Sequence, residues 1–189
     1  MSSPNEKQAT VSKQTTWTLD PAHSEVSFKV KHMMISNVRG LLTDYTLDVK
    51  SSDGAFSHAD VVFRAKLNSI TTGNEQRDTH LKSADFFDVA NNEELVFRST
   101  NYTRDADDIT LEGEISIKGV TRPITLDVEF GGVQKDPWGN TKAGFTVQGR
   151  LNRKDFGLNW NTALETGGVL VGDEVKINCE IQLIKSSEE

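Results

Sequence analysis

The stretch DITLEGEISIKGVTRPITLDVEF, residues 108–130, decides the fold class of this chain. Its apolar residues recur at nearly every second position, with Thr, Glu, Ser and Asp between them, on both sides of a Lys-Gly dipeptide. This period is that of a β-strand with one buried and one solvated face. Because turn-forming residues separate the two runs, the stretch predicts two antiparallel strands joined by a hairpin.

The same alternation extends from Trp17 to Leu183 and gives nine apolar segments, most of them opposed by polar residues. Turn-forming sequences at 52–54, 104–108, 118–123 and 136–140 separate several of these segments. Parallel sheets need helical crossovers and near-continuous apolar strands, and most of this pattern has neither. We therefore expect an all-β antiparallel meander that hides its apolar face by closing into a barrel or by stacking two sheets.

Two connections, 70–94 and 152–174, are longer than hairpins, and long loops in compact domains tend to carry function. In the first, Thr72 and Glu75 have the spacing of a capping box, which predicts a short lid helix ahead of an aromatic pair at 86–87. In the second, apolar residues at 156, 158 and 160 alternate like a strand, and residues 161–168 suggest a helical turn closed by glycine.

Length, charge and cysteine content exclude several function classes. The 189 residues suit one domain, and a formal charge of −7 disfavours wholesale binding to nucleic acid or to an acidic membrane surface, although local basic patches remain open. Cys179 is the only cysteine, which rules out an intrachain disulfide and a cysteine-based zinc site. No apolar run is long enough for a membrane helix.

The N-terminal residues have little to bury. We expect residues 1–15 to form a disordered or extended arm and residues 16–187 to form the folded domain. The chain as given has no signal peptide, which predicts a cytoplasmic protein, or a periplasmic one if the sequence is a trimmed mature form.

The inward-facing set includes four small or polar residues, Ser69, Ser99, Gly113 and Gly149. They either leave a tunnel inside the barrel or face larger side chains that fill it, and the sequence leaves both readings open.

No catalytic or metal constellation is recognisable. His23 and Ser24 are adjacent on an extended segment, so their side chains point apart, and no Gly-x-Ser-x-Gly elbow occurs. The four histidines lack the spacing of a metal site. His32 shares the inward face, where it is either a structural histidine or a ligand contact. An enzyme that uses His23 or His32 remains a third-ranked hypothesis.

Four ordered motifs carry a family resemblance: WTLDPAHSEVSF (17–28), NSITTGNEQRDTHLKSADFFD (68–88), GEISIKGVTRP (113–123) and RKDFGL (153–158). Together they resemble the motifs of the YceI-like family of polyisoprenoid-binding proteins, over residues 17–185. The resemblance implies an extended, lipocalin-like antiparallel barrel of eight strands with a short lid helix, often dimeric, that holds an isoprenoid chain, an isoprenoid quinone or a similar amphiphile. Two of the nine segments must then merge, or one must be demoted.

The resemblance implies binding and transport or storage of a lipid without catalysis, so we expect no catalytic residue, no metal and no cofactor other than the bound isoprenoid or quinone-like ligand. We expect a polyisoprenoid or other long-chain lipid as partner, no nucleic acid, no membrane-spanning segment and a homodimer. A solid-core β-domain that acts as a protein-interaction module is the alternative.

Ligand contact is transferred only to inward-facing residues and to the basic residues near them. The lumen candidates are Phe28, Val30, His32, Tyr45, Leu47, Phe63, Phe86, Phe87, Phe97, Ile115, Leu126, Phe145, Val147, Phe156, Trp160 and Ile177. The candidates for contact with an anionic head group are His32, Arg39 and Arg77, with Lys31 as a further basic residue.

Overall fold

The computed structural model describes residues 13–186 as a single antiparallel sheet with one helix. The strands are β1 (Thr15–Leu19), β2 (Glu25–His32), β3 (Ser36–Leu42), β4 (Tyr45–Ser51), β5 (Ala59–Lys66), β6 (Ile70–Thr71), β7 (Glu94–Asp105), β8 (Asp108–Ile117), β9 (Val120–Lys135), β10 (Thr141–Asn152) and β11 (Val171–Lys185). The helix is α1 (Glu75–Lys82), and short 3₁₀ turns span Pro21–His23, Leu67–Ser69 and Arg153–Phe156.

The sheet closes on itself through β11. One edge of β11 pairs with β10, and the other pairs first with β2, where Cys179 faces Val26, and then with β1, where Lys185 faces Trp17. Short breaks divide three barrel strands, namely β1/β2, β3/β4 and β5/β6. Counted as single strands, these give the closed barrel of eight antiparallel strands that was predicted. Closure leaves most of the sheet without an exposed edge.

The first barrel strand breaks because of the sequence Asp20-Pro21. The Asp20 carboxylate caps the following turn by accepting from the backbone N–H of Ala22 at 3.2 Å, and proline suits the first position of such a turn. The two apolar segments at 17–19 and 26–32 therefore merge into one strand, which reduces the nine predicted segments to eight.

The two barrel ends differ. At one end, which we call the plugged end, Trp17 and Phe56 are each 1% exposed with ring centroids 4.6 Å apart, and the Trp17 indole donates to the Ser51 hydroxyl at 3.0 Å. At the other end, which we call the mouth, lie the β2–β3 turn, α1 and the segment 153–170. Sealing of one end makes the mouth the natural route into the barrel.

The lid helix exists, but its predicted cap was wrong. Asn74, not Thr72, is the N-cap, and its side-chain oxygen accepts from the N–H of Arg77 at 2.9 Å. Gly73, with φ of 76°, turns the chain so that Asn74 precedes the helix. The Thr72 hydroxyl donates instead to Asp78 at 2.6 Å.

Three local predictions were also wrong. Residues 156–160 do not form a strand. Residues 161–168 form a turn that ends in two glycines of positive φ, as predicted, but the turn is not helical, because a bridge between Ala163 and Val169 closes it as a hairpin. The loop predicted at 118–123 is shorter, since only Lys118 and Gly119 leave the strands. The predicted N-terminal arm lies mostly outside the described residues, and β1 begins at its last position, Thr15.

Candidate ligand cavity

A cavity of about 640 Å³ fills the interior of the barrel and reaches the mouth. Most of its lining consists of aliphatic and aromatic side chains contributed by nearly all the strands and by α1. The aromatic lining residues are Phe28, Phe56, Phe63, Phe86, Phe87, Phe97, Tyr102, Phe145 and Trp160. The volume falls within the range of pockets that hold a single small ligand. Of the two readings left open by the sequence, the hollow barrel is therefore the observed one.

Two of the small inward residues do face larger neighbours. A Cβ on Gly113 would lie 2.5 Å from Cε2 of Phe97, and a Cβ on Gly149 would lie 2.5 Å from Cδ2 of Leu126. Since real Cβ atoms do not approach this closely, each glycine provides the space that its neighbour's side chain occupies. The large side chains lie against the wall instead of across the bore.

The basic lining residues all lie at the mouth. Lys31 and His32 come from the end of β2, Arg77 and His80 from α1, and Arg153 from the turn that follows β10. None of the described lining residues is an aspartate or a glutamate. The opening is therefore lined by cationic and neutral polar groups, whereas the bore behind it is apolar.

Hydrogen bonds fix the start of α1 against β6. Arg77 donates from Nε to the Thr72 hydroxyl at 2.7 Å and from Nη2 to the Thr72 carbonyl at 2.9 Å. Asp78 accepts from the backbone N–H of Thr72 at 2.8 Å and from the Thr71 hydroxyl at 3.1 Å. Burial opposes ionisation of Asp78, but these hydrogen bonds outweigh it and lower the pKa of the carboxyl.

An aromatic group packs beside α1. The His80 ring meets Phe86 and Trp160 edge-on, with centroid distances of 5.1 Å and 4.7 Å. Its Nε2 lies 2.8 Å from a carboxylate oxygen of Asp85. These contacts join α1 to the segment 153–170, so the two long connections form one cover over part of the mouth.

Arg153 holds the second long connection in place, although sequence reasoning did not select it. The side chain is 4% exposed and donates to the carbonyls of Leu158 at 2.5 Å, Trp160 at 2.9 Å and Gly172 at 2.8 Å. Burial lowers the pKa of its guanidinium. Because one fork-shaped group gathers carbonyls from several points of the segment, it can order a loop that has little regular structure.

Comparison with known proteins identifies the family. Residues 17–183 match the YceI-like domain. The chain belongs to the YceI-like family. A UPF0312 protein of Staphylococcus aureus strain N315 is 38% identical over 169 residues, which cover 89% of this chain and 96% of that protein. The crystal structure of the Campylobacter jejuni YCEI protein superposes with a TM-score of 0.71 at 33% identity and covers 90% of this chain and 98% of that one.

Two more distant structures share the fold of this YceI-like barrel. Burkholderia cenocepacia BcnA has a TM-score of 0.74 at 20% identity, with coverage of 87% of this chain and 98% of that one. A polyisoprenoid-binding domain from Saccharophagus degradans, implicated in plant cell wall breakdown, has a TM-score of 0.62 at 14% identity, with coverage of 90% and 98%.

The YceI-like barrel places nearly all the lumen candidates on the cavity wall. Tyr45 and Phe156 are the two that do not line it. Tyr45 packs against the ring of Phe63 at a centroid distance of 5.7 Å, and Phe156, in the 3₁₀ turn that starts the second long connection, is buried in the hydrophobic core. For the residues that do line the cavity, contact with a ligand remains a prediction.

The head-group candidates divide in the same way. His32, Arg77 and Lys31 line the mouth, whereas Arg39 lies on the outer face, where it forms an ion pair with Glu25. The candidate role of Arg39 therefore has no support from the geometry. Sequence reasoning missed His80: the lid helix was predicted, but its nearly uniform polar composition gave no sign of which of its residues line the mouth.

The structure also tests the catalytic and metal sites that the sequence raised. His23 bonds to Asp20 at 2.9 Å, and the Ser24 hydroxyl bonds to the backbone of Gln182, so the two form no nucleophile–base pair. Within residues 13–186, no group of His, Cys, Asp and Glu side chains could hold a metal ion. In the same range, no helix is both long and apolar enough to cross a membrane.

Proposed function

We propose that this protein binds a long apolar molecule, an isoprenoid lipid such as a polyprenyl chain or an isoprenoid quinone, and transports or stores it without chemical change. The observation that carries this proposal is the apolar cavity of about 640 Å³, which is sealed at Trp17 and Phe56 and lined by basic residues at the mouth. An amphiphile matches this gradient, with its tail in the bore and its head at the opening.

The energetics favour a chain over a compact polar ligand. Burial of each five-carbon isoprene unit contributes on the order of 3–4 kcal/mol, at ~0.8 kcal/mol per carbon. A few units offset the cost of association and of ordering the chain. An apolar bore therefore supplies affinity through shape and area and needs few polar contacts.

The mouth favours a head group that accepts hydrogen bonds or carries negative charge. Arg77, Lys31 and His32 supply donors there without an acidic residue among the described lining residues. Arg153 is already committed to backbone carbonyls, so it is better suited to shape the opening than to bind the head. A quinone oxygen or a phosphate suits this set.

Resemblance adds support for the ligand class. The Saccharophagus degradans domain that shares this fold is described as polyisoprenoid-binding. At 14% identity this supports an isoprenoid as the first ligand to test, while the cavity of this chain supplies the physical argument.

A pair of Val→Phe substitutions tests the proposal. Val147 lines the bore on β10, whereas Val133 on β9 is exposed to solvent. In titrations with a fluorescent farnesyl derivative, we expect the V147F variant to lower affinity by at least about tenfold, because the added ring occupies the bore. The V133F variant should match the wild type. Absence of uptake by the wild type, or equal uptake by a folded V147F variant, would contradict the proposal.

A further inference from the structure

Three consecutive apolar residues are exposed in the β2–β3 turn. Met33, Met34 and Ile35 are 41%, 55% and 79% exposed, respectively. Met33 and Met34 have φ of 52° and 62°, a left-handed conformation that hairpin turns usually fill with Asn, Asp or Gly. A run of three exposed apolar side chains in such a turn indicates a contact outside the chain.

This turn, which we call the apolar tip, lies at the edge of the mouth. His32, directly before it, lines the cavity, and the N–H of Met33 donates to the carbonyl of Leu170, another lining residue, at 2.8 Å. A surface that covered the apolar tip would therefore also lie against the opening of the bore.

A row of basic residues crosses the outer face behind the apolar tip. Strand register places Arg150 of β10 opposite Lys176 of β11, Lys176 opposite Lys29 of β2, and Lys29 opposite Arg39 of β3. All four side chains are exposed. Like charges placed directly across a sheet are destabilising. A row of four basic residues is therefore unexpected in a chain of net charge −7.

Carboxylates neutralise only the two ends of this basic row. Arg150 lies 3.8 Å from Glu174, and Arg39 pairs with Glu25. Within residues 13–186, the central Lys29 and Lys176 form no ion pair. The middle of the row thus carries two positive charges without a paired carboxylate among the described residues, although the protein as a whole is acidic.

We propose that the mouth docks on an anionic phospholipid bilayer, with the apolar tip in the interface and the basic row facing the lipid head groups. Lys29 lies about 13 Å along β2 from Met33. Insertion of the tip by roughly 5–10 Å brings the row within about one Debye length of the charged surface. The bore of the barrel then opens towards the membrane, where an isoprenoid would enter or leave. This role of the docking in ligand exchange rests on the proposed function.

Flotation with phospholipid vesicles tests the docking. The wild type should float with vesicles of phosphatidylcholine and phosphatidylserine and lose this binding at high salt. We expect the variants M34S/I35S and K29Q/K176Q each to lower the bound fraction by about tenfold. W138S is the matched control, because Trp138 is 83% exposed near the plugged end, away from the mouth. Thermal melting of each variant verifies that it is folded.

Two outcomes would overturn the docking: a wild type that does not float, or an equal loss of binding in W138S. Uptake of a fluorescent farnesyl derivative dispersed in buffer separates this inference from the proposed function. If uptake is normal in a protein that does not float, only the docking fails. If the protein floats but takes up no farnesyl derivative, the docking stands and the proposed ligand is wrong.

Discussion

Phe28 on β2 lies over Gly40 on β3, so closely that a Cβ at position 40 would be 2.6 Å from Cε1 of the ring. The ring can rest against the wall only because residue 40 has no side chain. The same relationship links Phe97 to Gly113 and Leu126 to Gly149. These glycines help to keep the bore open.

Substitution of Gly40 by alanine tests this relationship. The added methyl group should push the Phe28 ring into the bore and lower affinity for a prenyl ligand, with a cost in unfolding free energy of about 1–3 kcal/mol. Ligand titration and urea unfolding measure the two effects. The control is G144A on β10, since a Cβ at position 144 meets nothing within 4 Å. Unchanged affinity in a folded G40A variant would contradict this role of the glycine.

Loss of Arg153 should loosen the cover of the mouth. The R153A variant leaves several buried carbonyls without a donor, so we expect a loss of about 3 kcal/mol or more in unfolding free energy. Hydrogen exchange should rise first in residues 158–172. R153K should recover only part of the protection, because an ammonium group cannot match the guanidinium fork.

The neighbouring Lys154 provides the control for Arg153. Its side chain is exposed and lies 3.3 Å from Asp173, so K154A should change stability by less than about 1 kcal/mol. If R153A and K154A had the same small effect, Arg153 would not be the residue that orders the segment.

Alternation predicted the antiparallel strands because it is a local signal that strand pairing repeats around the sheet, whereas the choice of an eight-stranded barrel over two stacked sheets came from the family resemblance. The segments on either side of Asp20-Pro21 were counted as two strands. They form one barrel strand because both pair with β11, and such pairing is not visible in the sequence of one segment. Alternation at Phe156 and Trp160 was wrongly interpreted as a strand. Phe156 is buried from a 3₁₀ turn, and Trp160 lines the cavity from a loop.

The candidate site was predictable only where strands supply it. Alternation along the strands identified inward-facing wall residues such as Val147 and Leu126. It could not identify Phe56, which comes from a loop, or His80, which comes from a polar helix. Arg153 begins one of the four family motifs, but its burial could not be predicted, because it depends on how the chain brings the carbonyls of Leu158, Trp160 and Gly172 together. Whether the bore is hollow depends on contacts in which a large side chain lies over a glycine of the neighbouring strand, as Phe28 lies over Gly40. Alternation along one strand does not show such contacts.

Asp20 should make the fold sensitive to acid. The pKa of this buried carboxyl is lowered, mainly by a hydrogen bond from Lys142 at 2.7 Å. Burial raises the pKa, and a hydrogen bond with His23 lowers it further. Because the folded pKa lies below the unfolded one, the stabilisation is present above about pH 4 and is lost as pH falls through the folded pKa.

The D20N variant retains a capping oxygen but loses the charge. We expect it to cost about 1–3 kcal/mol in unfolding free energy at pH 7, and the difference from wild type should shrink at the acidic end of a series of urea titrations. The exposed Asp48 supplies the control, and D48N should have little effect. A D20N deficit that stayed constant as the pH fell would contradict the role of the charge.

Cys179 reports on the dryness of the bore. Its thiol lines the cavity, and burial raises its pKa to about 12. The thiolate is the reactive species, so the folded protein at pH 8 should react with Ellman's reagent at least about a hundred times more slowly than the urea-unfolded chain. Rapid reaction of the folded protein would show that water reaches this part of the wall.

Lipid extraction tests the central claim most directly. The protein is purified without detergent and extracted with organic solvent, and mass spectrometry then identifies and counts the lipid per chain. The account predicts close to one isoprenoid chain per barrel in the wild type and in V133F, and far less in V147F. A wild-type barrel that is folded, carries no stoichiometric lipid and takes up no added prenyl chain would contradict it.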